Sequence, residues 1–188
     1  MEVITAPTFP TEVNNSISVF LAGGISKCRN WQEEVIDYIE GNEFTTKKKI
    51  DLRIYNPRRS IFNILDKDAS KAQIEWEYRM IEKADIFSMY FCNSESDQPI
   101  CMYELGMRLG RLKERPYNAD FGHRTIISVE RGYKRAEDVV IQTALATNNL
   151  IEVHLNADPC SHSELIIKEY HRIKEYYNRH HMKIYIEE

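Results

Sequence analysis

Short uninterrupted apolar runs alternate along the chain with longer segments in which apolar positions recur every three or four residues. The runs predict buried strands and the spaced segments predict helices. Ser18-Val19-Phe20-Leu21-Ala22 is the first run, and it stops at a tight turn marked by Gly23-Gly24. Asn30 then caps a helix with Glu33 at capping-box spacing, and Trp31, Val35 and Ile39 form its apolar stripe. Leu52-Arg53-Ile54-Tyr55 is the second strand, ended by Asn56-Pro57. Asp68 or Ser70 opens the next helix, with Ile74, Tyr78 and Ile81 as its stripe. Ile86 to Phe91 is the third strand, and a polar loop from Asn93 to Gln98 leads into a helix that carries Glu104.

The second half repeats the alternation. Thr125 to Val129 reads as a strand, Ala136 to Thr147 as a helix and Leu150 to Val153 as a last strand. Ser161 and Glu164 have capping-box spacing before a long helix with Ile166, Tyr170, Ile173 and Tyr177 on one face. Strands separated by helices predict an α/β fold with three layers, flavodoxin-like or Rossmann-like. Its five-stranded, mainly parallel sheet carries helices on both faces, because right-handed crossovers put them there. Ligands in such sheets bind beyond the C-terminal strand ends, where the strand order reverses. Residues 1–16, with Pro7 and Pro10, read as an extended arm, and residues 17–188 as one domain.

Composition narrows the function classes. A chain of 188 residues with 43% hydrophobic and 29% charged residues is ordinary for one globular domain. A net charge of -4 offers no basic face for a nucleic acid polymer. Lys47-Lys48-Lys49 reads as a solvated loop. No apolar stretch approaches the ~18 residues of a membrane span, and the N-terminus lacks a basic-then-apolar signal, so a cytoplasmic location is expected. The four cysteines (Cys28, Cys92, Cys101, Cys160) form no CxxC pair and read as reduced packing thiols. His154, His162 and His171 lack zinc-site spacing with any cysteine pair, and His180-His181 lies in a polar tail. Neither a metal nor a cofactor is expected.

Two carboxylates stand out against this background. Glu104 is the only charge in the apolar run from Pro99 to Met107. It lies four after Ile100 and three before Met107, so it faces inward. Glu77 lies three after Ile74 and four before Ile81, on the inward stripe of its own helix. Buried lone carboxylates are costly and persist where they have a partner or a chemical task. A pair suits glycosidic chemistry: one attacks or stabilises the anomeric carbon, and the other, its pKa raised by burial, protonates the leaving group. The alternative for Glu77 is a helix-edge glutamate whose head reaches water. Gly106 and Gly110 let the Glu104 helix approach a neighbour or ligand closely.

Gly23-Gly24 can present backbone N–H groups to a phosphate or hydroxyl, although the full GxGxxG is absent. Arg58 and Arg59 bind phosphate or pair at the surface. Trp31 stacks on a base or belongs to the core.

The segments Val19-Phe20-Leu21-Ala22-Gly23-Gly24-Ile25, Trp31-Gln32, Tyr55-Asn56-Pro57-Arg58-Arg59, Gln73-Ile74-Glu75-Trp76-Glu77, Lys83-Ala84-Asp85-Ile86 and Gln98-Pro99-Ile100 through Glu104-Leu105-Gly106 carry a resemblance. In that order they resemble the nucleoside 2-deoxyribosyltransferase-like superfamily, in particular its small bacterial and phage branch. The resemblance implies that Glu104 is the nucleophile and that Glu77, where better-known members have aspartate, handles the proton of the base. It implies substrate contacts from Gly23, Gly24, Ile25, Trp31, Asn56, Arg58, Asp85 and Gln98. Gln98 stands where better-known members have an aspartate; it can bind a sugar hydroxyl or phosphate but cannot act as an acid. The related deoxynucleotide N-glycosidases use a Gly-Ser-Ile-Arg turn for phosphate, where this chain has Gly23-Gly24-Ile25-Ser26.

The resemblance thus implies an enzyme that cleaves or transfers at the N-glycosidic bond of 2'-deoxynucleosides or nucleotides through a covalent glycosyl-enzyme on Glu104. Two alternatives stay open: a hydrolase of NAD or ribonucleotide N-glycosidic bonds, and an inactive nucleotide-binding module favoured by Gln98. The partner is a small nucleoside or nucleotide. The resemblance also suggests a homo-oligomer, with the tyrosine-rich C-terminal helix as an interface.

Overall fold

The computed structural model describes residues 1–10, 16–42, 50–60, 66–114 and 124–179. The Lys47–Lys49 loop, the His180-His181 tail and the end of the N-terminal arm lie outside these residues. Six strands, β1 (Glu2–Thr5), β2 (Ile17–Gly23), β3 (Leu52–Asn56), β4 (Ile86–Phe91), β5 (Arg124–Glu130) and β6 (Val153–Ala157), form one sheet. The helices are α1 (Trp31–Gly41), α2 (Lys67–Lys83), α3 (Pro99–Glu114), α4 (Ala136–Thr147) and α5 (Pro159–Arg179). None is long and apolar enough to cross a membrane.

Every adjacent strand pair is parallel, in the order β1-β3-β2-β4-β5-β6. Without β1 this is the flavodoxin-like order, and the direction of winding reverses at β2. The apolar runs are continuous because both faces of the sheet are covered. Along β2, Val19 and Leu21 pack with Trp31, Val35, Ile39, Ile166 and Tyr170 from α1 and α5. Phe20 and Ala22 alternate to the other face, against Trp76, Met80, Leu105, Leu109 and Val139 from α2, α3 and α4. Each such aliphatic or aromatic side chain contributes roughly 1.5–3 kcal/mol by burial.

The sheet has six strands, not the expected five. The extra one, Glu2–Thr5, falls in the segment read as an arm, where only Ile4 of the four is buried. An edge strand of this kind leaves no apolar run. It is tied down by its register with β3 and by the Arg53 Nε to Glu2 Oε2 contact of 2.7 Å. The last strand is Val153–Ala157, later than the expected Leu150 to Val153, because Asn148 and Asn149 adopt positive φ and carry the chain into a turn first.

The stripe of α2 is also displaced. Ile74 and Tyr78 are exposed, and Gln73, Trp76, Met80 and Ile81 face the sheet. Trp76 decides the phase, since it fills the space beside Phe20 and Tyr55 and donates its Nε1–H to the Thr8 carbonyl at 2.6 Å. In α3, Ile100 is exposed, and Cys101, Leu105, Arg108 and Leu109 are buried. Asp66 caps α2, and Asp158 with Ser161 caps α5; Glu164 instead accepts from the Tyr38 hydroxyl. Asn30 caps α1 as expected, with Glu33 bonded back to it. Gly106 and Gly110 have open space, not a close neighbour, beside them among the described residues. Of the tyrosines proposed as an interface, Tyr170 is buried within this chain and accepts from the Asp51 N–H.

Candidate active site

A pocket of about 440 Å³ opens at the C-terminal ends of β2, β3 and β4. This is the crevice beside the reversal of strand order, the expected ligand position in an open parallel sheet. Its size lies in the ordinary range for small-molecule sites. Gly23, Gly24, Ile25 and Ser26 form its floor, Pro57, Arg59, Gln73 and Glu77 one wall, and Gln98, Cys101 and Glu104 the other. Ile74 and Ile100, both largely exposed, are apolar lining from α2 and α3.

The floor requires glycine at two positions. Gly23 has φ +151, and a Cβ there would collide with the Tyr90 carbonyl and the Trp31 ring. A Cβ on Gly24 would lie 2.6 Å from Gln98 Oε1. The two segments therefore touch backbone to side chain, which brings the start of α3 against the end of β2.

Gln98 closes the first turn of α3, its carbonyl accepting from the Met102 N–H. Its own N–H donates to Ser96 Oγ, and its side-chain Nε2 donates to the Cys92 carbonyl at 2.6 Å. These bonds fix the amide of this lining residue and leave its buried Oε1 with no bonding partner among the described residues. Gln73 has a parallel arrangement on α2. Its Nε2 donates to the Pro57 carbonyl and to Glu77 Oε1, each at 2.7 Å, and its buried Oε1 has no bonding partner among the described residues.

Burial raises the pKa of Glu77, against the hydrogen bond from Gln73 and the charge of Arg59. Burial, then the charge of Glu77, pushes Glu104 up to about 8. Arg108, one turn further along α3, does not relieve it. Its guanidinium lies over the Phe87 ring and donates to Thr125 Oγ1. Among the described residues Glu104 has no hydrogen-bonding or cationic partner, which leaves its carboxylate available to a ligand.

The pocket thus brings together Glu77, Glu104, Gly23, Gly24, Ile25 and Gln98. Four expected residues are not in its lining. Trp31 is fully buried, its ring tilted against Tyr90 and its Nε1–H on the Gly24 carbonyl at 3.0 Å. It supports the floor from beneath. Asn56 accepts from the Arg58 N–H and shapes the turn after β3. Arg58 bonds Gln32 Oε1 and the carbonyls of Gly24, Ile25, Cys28 and Arg29, so it clamps the β2–α1 loop. Asp85 lies at the opposite, N-terminal end of the sheet, where its carboxylate accepts from the N–H and hydroxyl of Ser18, each at 2.7 Å.

Gln73 and Arg59 line the pocket as well, although the family resemblance implied substrate contact from neither. The available signal for Gln73 was its position four before Glu77, one turn along the same face. For Arg59 against Arg58 there was none, because adjacent loop residues have no periodicity to separate them.

A family model described as nucleoside 2-deoxyribosyltransferase like matches residues 16–115, rather more than half of the chain. The matched stretch runs from β2 through α3 and contains the whole pocket lining. No curated protein matches the chain.

Proposed function

The chain belongs to the nucleoside 2-deoxyribosyltransferase-like family, and from that premise we propose that it cleaves or transfers at the N-glycosidic bond of 2'-deoxynucleosides. The observation that carries this reading is the meeting of Glu77 and Glu104 in one small, largely apolar pocket. Glu104 attacks C1' and forms a covalent deoxyribosyl-enzyme, and Glu77 gives its proton to the departing base. The electron pair of the C1'–N bond leaves with the base, and the base takes the Glu77 proton. Water or a second base then attacks C1', returns its proton to Glu77 and frees Glu104.

Gln98 offers its unbonded Oε1 to a sugar hydroxyl beside Glu104. Ile74 and Ile100 offer apolar surface to a planar base, which accounts for two large side chains left exposed on α2 and α3. A free nucleoside fits this lining better than a phosphate does. Arg58, one of the two candidate arginines, is committed to loop carbonyls, and Arg59, in the wall, donates to the Ala69 carbonyl and sets its charge against Glu77; the acceptors Gln73 Oε1, Gln98 Oε1 and the two carboxylates favour ligand donors over ligand anions.

The test is incubation with a panel of deoxynucleosides, deoxynucleotides, ribonucleosides and NAD, with and without a free acceptor base, read by chromatography of the released base. Base release or exchange from deoxynucleosides, abolished in Glu104→Ala with the fold intact by circular dichroism, is expected. Undiminished turnover by Glu104→Ala rejects the nucleophile, and no release from any member of the panel rejects the reading.

A further inference from the structure

Gln73 is held more firmly than a wall residue needs to be. It is only 8% exposed, and both of its side-chain N–H groups have acceptors: the Pro57 carbonyl and Glu77 Oε1, each at 2.7 Å. Rotating the amide by half a turn would put its oxygen against the Pro57 carbonyl, so its orientation is determined by its neighbours. Gln73 lines the pocket, and its Oε1 keeps this orientation, buried and unbonded among the described residues. A buried acceptor left without a donor is costly, and a ligand N–H at that position recovers the loss.

The group next to that oxygen is Glu77. Resting on the proposed function, in which Glu77 delivers a proton to the leaving base, the wall presents an O–H donor and a carbonyl acceptor side by side. We propose that Gln73 is a specificity-determining residue that reads the edge of a purine, its Oε1 accepting the exocyclic 6-amino N–H while Glu77 protonates N7. Adenine and other 6-aminopurines present an acceptor at N7 and a donor at the 6-position, which complements the pair. Hypoxanthine and guanine present two acceptors there, and their 6-oxo oxygen faces Gln73 Oε1 with no proton between them. The preference comes from an unmatched acceptor as well as from a matched one, and sites of this kind discriminate well.

The experiment compares kcat/KM for deoxyadenosine, purine 2'-deoxyriboside and deoxyinosine in the wild type and in Gln73→Met, which keeps the side-chain length without the amide. The wild type is expected to prefer deoxyadenosine over deoxyinosine by roughly 10- to 100-fold, with purine deoxyriboside between them. In Gln73→Met that ratio collapses toward one. A merely positioning role, in which Gln73 only steadies Glu77, lowers all three substrates together and leaves the ratio intact, which overturns the proposal. Equal wild-type values for deoxyadenosine and deoxyinosine overturn it without any variant. Release from pyrimidine deoxynucleosides alone overturns the role of Gln73 and leaves the proposed function standing. No release from any deoxynucleoside overturns both.

Discussion

Glu77 and Glu104 reach one pocket from two different helices, and the charge of Glu77 adds to burial in holding the Glu104 proton up to about pH 8. Burial raises Glu77 too. Near neutrality Glu104 therefore keeps its proton. The double displacement proposed for this pocket needs that proton on Glu77 and the charge on Glu104. This is the same total charge with the proton moved, and positive charge developing at C1' favours it.

Activity should then fall as pH rises through about 8, because Glu104 loses its proton there and none remains to be passed to the base. A profile of kcat/KM from pH 5 to 10 with an alkaline limb near that value is the expected result. An activity still climbing above pH 9 would separate the Glu104 proton from catalysis.

Glu104→Gln should lose base release by about 10³-fold or more and gain stability in alkali. The sign follows from the raised pKa. The wild-type fold is favoured most with Glu104 protonated, below its ordinary value of 4.5, and loses stability as pH rises from there through about 8. The loss is on the order of 5 kcal/mol at most. A neutral glutamine avoids it, so the Tm difference should be near zero at pH 4 and several degrees in favour of the variant at pH 9. Thermal melts across that range test it.

Glu77→Gln removes the acid and one of the two causes that raise Glu104, whose pKa should move down toward the carboxylate range. Turnover of ordinary deoxynucleosides should drop by roughly 10²- to 10⁴-fold. A 7-methylated deoxyguanosine, whose base leaves without being protonated, should lose far less. Equal losses on both substrates would remove Glu77 from the acid role.

Arg58→Ala should act on the fold before it acts on any ligand. The guanidinium holds four loop carbonyls and Gln32 Oε1 at 2.9–3.3 Å. Its loss frees those acceptors and the floor above Trp31, at a cost of about 2–4 kcal/mol. Denaturant unfolding checks this, and an unchanged midpoint would return Arg58 to a ligand-binding role.

Of Cys28, Cys92 and Cys101, with the exposed Cys160 set aside, Cys28 should be the first to alkylate at neutral pH. Hydrogen bonding with Cys92 and with Ser94, aided by the charge of Arg58, lowers it to about 6, whereas burial and the charge of Glu104 raise Cys101. Its sulfur lies beside Gly24 on the pocket floor. Peptide mapping after brief iodoacetamide treatment should find the label on Cys28, and labelling of Cys92 first would contradict the assignment.

The alternation of apolar runs and spaced stripes made the layered fold legible, because central strands covered on both faces must be continuously apolar. β1 escaped notice since an edge strand with one buried residue writes no such run. Glu104 was legible for a similar reason: a charge in an apolar stretch is conspicuous wherever the stretch folds. Glu77, among charged neighbours, was marked by its spacing from Ile74 and Ile81 and by the family resemblance. The phase of α2 was not legible. Ile74 and Tyr78 look like a core stripe, yet the bulk of Trp76 against Phe20 and Tyr55 turned them outward and brought Gln73 to the pocket.

By itself the sequence determined the alternation of elements and the parallel sheet, which follow from local hydrophobic period, and it marked Glu104 as a charge in an apolar run. Only the tertiary structure decided which side chains share the pocket. Arg58 and Arg59 are adjacent in the chain but serve a loop and a wall, and Asp85 and Gln98 end at opposite ends of the sheet. Part of the rise in the Glu104 pKa, after burial, comes from the charge of Glu77, 27 positions away in the chain. Their proximity comes from the strand order around β2, a long-range arrangement that no local pattern encodes.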